Sequence, residues 1–106
     1  MAKGDGMALD QHRIRAVAAA RAATAALAEL DVRVVVTGSL ARGGFGIHSD
    51  IDLLVTSCPR DRKYAIEGLV EDVLSGLSFD VIYLDELPPW KLPHFVEGAV
   101  DASELR

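Results

Sequence analysis

Ten residues separate the pair Gly38-Ser39 from Asp50, and one residue separates Asp50 from Asp52, all within the segment TGSLARGGFGIHSDID. Two carboxylates at that spacing, on an extended backbone, project from one side of a strand and repel one another. A divalent cation between them relieves the repulsion, and hard oxygen ligands are what Mg²⁺ or Mn²⁺ selects. Gly38 has no Cβ and lets a ligand approach the main chain, while Ser39 adds a hydroxyl beside backbone N–H groups that suit a phosphate. Arg42 offers a planar cationic fork for phosphate oxygens. Ser49 is placed to cap or orient the turn ahead of Asp50.

The elements that must hold these residues follow from the pattern around them. Residues 1–9 contain two glycines and no periodicity and read as a flexible leader, with residues 10–106 forming one domain. Asp10 is a candidate N-cap for a helix ending near Leu30, whose apolar stripe is Ile14, Val17, Ala20, Thr24, Leu27 and Ala28. The β-branched run over residues 32–37 makes a first strand, and Ser39 to Arg42 a short helical turn before a Gly-rich loop. A second strand spans about 49–56. Pro59 opens a helix with a stripe at Ile66, Leu69, Val70, Val73, Leu74 and Leu77, stopped by Gly76. Residues 79–84 form a third strand, and residues 90–98 a short helix after Pro88 and Pro89.

This order predicts an α+β fold, a small mixed sheet with helices on one face and the other face free for polar work. If the third strand lies beside the second, Asp80 joins Asp50 and Asp52 in one acidic cluster, and a register slip of one residue would turn it away. Two metal ions held by three carboxylates would orient a triphosphate and lower the pKa of an attacking hydroxyl, with Asp80 also able to take its proton.

The formal net charge of −5, with 11 Lys and Arg scattered along 106 residues, argues against direct nucleic-acid binding. A single cysteine, Cys58, excludes an internal disulfide and a multi-cysteine zinc site and suits a cytoplasmic protein. The Ala-rich stretch 16–28 is too short and too charged for a membrane span. His48 reads as a loop residue. Trp90, near Leu92 and Phe95, is open to two readings, satellite core or exposed partner patch. Oligomeric state is left open.

The Gly38-Ser39 and Asp50-x-Asp52 pattern resembles the signature of the polymerase-β-type nucleotidyltransferase superfamily. The short chain and the context SDIDLLV are similar to its minimal group, including the MntA-type antitoxins of HEPN/MNT toxin–antitoxin pairs, and FDVIYLDEL is similar to the strand that carries a third carboxylate, here Asp80. The resemblance implies a metal-dependent transfer of AMP from ATP to a tyrosine hydroxyl of a partner, a small helical HEPN-type toxin. Two other expectations stand beside it: an antitoxin that acts by binding alone, and transfer to a small molecule such as an aminoglycoside.

Overall fold

The computed structural model describes the backbone of residues 2–105 and the side chains of residues 10–105. Met1 and Arg106, the outer ends of the expected leader and domain, lie outside the described residues. Helix α1 spans Ala2–Ala28, so Asp10 sits within it and is not its cap. No proline interrupts residues 2–9, and nothing there forbids continuation of the helix. The buried face of α1 is Ala16, Val17, Ala20, Ala23 and Leu27, while Ile14 is 67% exposed. An alanine-rich helix has so little apolar contrast around its circumference that the phase of its buried stripe is weakly encoded.

Strand β1 (Arg33–Thr37) leads directly into α2 (Gly38–Arg42), and β2 (Ile51–Ser57) follows the Gly-rich loop. A 3₁₀ segment over Arg60–Ala65 precedes α3 (Ile66–Leu74), β3 is Phe79–Tyr83 and α4 is Leu92–Val96. Helix α3 stops where Ser75 turns left-handed at φ 47° and Gly76 follows at φ 91°, the conformation that glycine adopts without penalty.

The sheet has the order β1-β2-β3, antiparallel between β1 and β2 and parallel between β2 and β3. Parallel neighbours need a crossover connection, which α3 provides. Alternation sends Val34, Val36, Ile51, Leu53 and Val55 into the main core with the buried faces of α1 and α3. Leu40 of α2 joins them with no exposure, so the turn after β1 is anchored by an apolar side chain.

The opposite face carries Thr37, Asp52, Leu54 and Asp80, and it is not bare. Leu54 is 1% exposed, and the hydroxyl of Thr37 donates to the carbonyl of Phe95 at 2.9 Å, so the C-terminal segment crosses this face. That segment also forms an antiparallel bridge between Val36 and Val100. Trp90 is 75% exposed, and Lys91 lies over its ring at 5.1 Å, whereas Leu92 and Phe95 are half-buried.

Candidate active site

The carboxylates gather at the amino-terminal ends of β2 and β3. Asp52 is the second residue of β2, paired with Thr37 across the antiparallel ladder and with Asp80 across the parallel one. The register that the sequence left open therefore sets Asp80 beside Asp52, on the same face. Asp50 is exposed and precedes β2, so strand alternation, expected to align both members of the pair, applies to Asp52 alone. Asp50 is still close enough for its charge to act on Asp52.

The half-buried Asp52 carboxyl is held above the ordinary carboxylate range, first by burial, then by the negative charges of Asp80 and Asp50, with the Arg42 guanidinium acting in the opposite direction. Three acids and one arginine thus share a local field. Among the described residues, no three His, Cys, Asp or Glu side chains converge into a ready metal cage. What the donor set offers is a run of hard carboxylate oxygens with unrelieved repulsion, chemistry that fits a Mg²⁺- or Mn²⁺-sized ion held by Asp52 with Asp50 and Asp80.

Gly38 has a role that its place in the motif did not reveal. Its φ is +73°, and a Cβ built on it would lie 2.1 Å from Oδ2 of Asp52. The space a side chain would fill is already taken by the carboxylate. Glycine is required here for the approach of Asp52 to the main chain, as well as for the turn from strand to helix. Ser39 is half-buried in α2, and Arg42, exposed, ends the same helix beside Gly43 at φ 88°.

Ser49 is a loop-closing residue. Its Oγ accepts from the N–H of Gly46 at 2.9 Å, and its own N–H donates to the carbonyl of Gly46 at 3.1 Å. The turn so closed delivers Asp50. Phe45, 5% exposed, pins the preceding loop to α1 by stacking on His12 at a centroid distance of 5.3 Å. His48 is exposed in the loop, in keeping with its reading from sequence. The residues missed were Thr37, Phe45 and Gly98, all defined by partners distant in the chain. The positive φ of 81° at Gly98 had a sequence signal only in its being glycine.

A strand-to-helix turn with an obligatory glycine is thus set against carboxylates at the starts of two adjacent strands. The chain belongs to the nucleotidyltransferase domain family, whose model matches residues 20–102. The match takes in every residue of the site, and the α+β fold agrees with it. No curated protein and no solved structure matches the chain at a significant level. No helix among the described residues is long and apolar enough to cross a membrane.

Proposed function

We propose that this nucleotidyltransferase moves AMP from ATP to a hydroxyl of a partner protein, with two Mg²⁺ or Mn²⁺ ions, as the antitoxin of a HEPN/MNT-type pair. The observation that carries the nucleotide chemistry is the juxtaposition of Asp52 and Asp80 in paired positions of β2 and β3, with Gly38 shaped around the Asp52 carboxylate. Asp50, Asp52 and Asp80 would hold the metal. Bound there, a divalent cation neutralises the triphosphate and lowers the pKa of the attacking hydroxyl.

The chain's own residues do the rest. Gly38 and Ser39 let phosphate oxygens approach the main chain, and Arg42 supplies a cationic fork. Asp80, the more exposed of the paired carboxylates, accepts the proton of the incoming hydroxyl. That oxygen bonds to the α-phosphorus as the bond to the bridging oxygen breaks, and pyrophosphate leaves. Positioning and charge compensation account for most of the acceleration.

A protein acceptor is what the resemblance of the Gly38-Ser39 and Asp50-x-Asp52 pattern to the minimal nucleotidyltransferase antitoxins implies. The test is co-expression with the product of the adjacent reading frame, followed by intact-mass measurement. The expected result is a partner heavier by one nucleoside monophosphate in the presence of ATP and Mg²⁺. An unmodified partner that is nevertheless neutralised by a doubly substituted Asp50→Asn, Asp52→Asn chain would assign the protein to inhibition by binding instead.

A further inference from the structure

Arg42 makes no hydrogen bond or ion pair among the described residues, yet its charge acts on Asp52. An exposed arginine with no polar partner samples many rotamers, and a phosphate-binding side chain is more effective when that freedom is already restricted.

The C-terminal segment lies alongside this side chain. A Cβ built on Gly98 would lie 3.6 Å from Cγ of Arg42 and 3.8 Å from Cδ, so the methylene stem of Arg42 runs past the open face of this glycine. Gly98 itself sits between firm anchors. Upstream, Thr37 Oγ1 donates to the Phe95 carbonyl at 2.9 Å, which ties the segment to the residue immediately before Gly38. Downstream, Val36 and Val100 exchange both backbone hydrogen bonds, at 2.8 and 2.9 Å. Arg21 then fastens the end, its Nε donating to the Ala102 carbonyl at 3.1 Å and its Nη2 to the Leu105 carbonyl at 2.6 Å.

We infer that residues 95–100 are a strap across β1 that belongs to the nucleotide site, and that Gly98 is a positioning residue holding the stem of Arg42 so that its guanidinium faces the triphosphate. The inference rests on the assignment of Arg42 to phosphate binding. Gly98 touches neither substrate nor metal and acts through Arg42 alone. Its φ of +81° makes any side chain there strained, and a branched one adds atoms beyond a Cβ that would already be in van der Waals contact with the arginine stem.

The test is steady-state kinetics and calorimetric nucleotide binding with ATP and Mg²⁺ on four full-length chains: wild type, Gly98→Val, Arg42→Ala and the double variant. Gly98→Val should raise KM for the nucleotide about tenfold and leave kcat within about twofold, the signature of lost binding that is shared by ground and transition states. In the Arg42→Ala background the same substitution should add nothing, because the residue it acts through is gone. Additive effects in the double variant, or an unchanged KM in Gly98→Val, would overturn the inference. Gly98→Ala, with a smaller rise in KM, covers the case in which valine prevents folding. A wild-type chain that binds no nucleotide would overturn the reading of the whole site; wild type and Gly98→Val that bind it equally well would overturn this inference alone.

Discussion

The two ends of the β2–β3 pair treat their acidic residues in opposite ways. At the carboxyl-terminal end, Lys63 pairs with Glu86 and lies 3.8 Å from Asp85, and its ammonium also sits over the Tyr83 ring at 4.6 Å. Glu67 accepts from the Tyr83 hydroxyl at 3.2 Å. The hydrogen bond to Glu86 holds the Lys63 ammonium above its ordinary range. This end surrounds a cavity of about 460 Å³ lined by Thr56, Cys58, Arg60, Lys63, Tyr83 and Asp85. Its acids are answered by groups of the same chain. At the amino-terminal end, Asp50, Asp52 and Asp80 are crowded enough to disturb Asp52, and Arg42 is the cation that opposes them. The same pair of strands thus has its carboxylates neutralised at one end and left in mutual repulsion at the other.

The sharpest break of that contrast is Asp52→Asn. Nucleotide transfer should fall about 10³-fold, the order expected when a group that stabilises developing charge is removed. Thermal stability in metal-free neutral buffer should rise. The sign follows from the raised Asp52 carboxyl: the folded chain binds that proton more tightly than the unfolded one, so the stability it contributes is present at low pH and lost as pH rises through the folded value. An amide carries no such loss. An activity assay and a pH series of melting curves check both halves, and an unchanged melting temperature would contradict the repulsion.

Gly38→Ala comes next. With φ +73° and the Asp52 carboxylate 2.1 Å from the new Cβ, folding stability should drop by about 2 kcal/mol, measured by denaturant unfolding. Asp52→Gly in the same chain should recover part of the loss, because the clash goes with the carboxylate.

The smallest effect belongs to the opposite end. Burial and Glu67 push the Tyr83 phenol up to about 12, so the unfolded chain gives up this proton first as pH rises. Stability should therefore decline between pH 10 and about 12. Glu67→Gln should lower the Tyr83 value, read from phenolate absorbance, and should leave nucleotide transfer unchanged.

The sheet and its carboxylates were legible because both are local signals. Residues 33–37, 51–57 and 79–83 show the β-branched or alternating pattern of strands, and the pairing of Asp52 with Asp80 follows once those strands are adjacent. Boundaries were less well marked: β2 begins one residue after Asp50, which leaves that carboxylate on a turn. The phase of α1 was misread at Ile14 because alanines on several sides of the helix gave no contrast. The strap could not be read at all. Thr37 with Phe95, and Arg42 with Gly98, are contacts of high sequence separation, each made by residues with ordinary local preferences.

The parallel pairing of β2 and β3 also bears on the order in which the chain matures. Asp52 and Asp80 belong to strands joined by the whole of α3, so no local hairpin can bring them together. The crossover must form and dock first, at the loop-closure cost that slows such topologies. β1 and β2, joined by α2 and the Gly-rich loop, have the shorter excursion to close. Where the shorter excursion closes first, the Gly38–Asp52 half of the site forms ahead of its Asp80 half, and competence for chemistry then waits on completion of the fold.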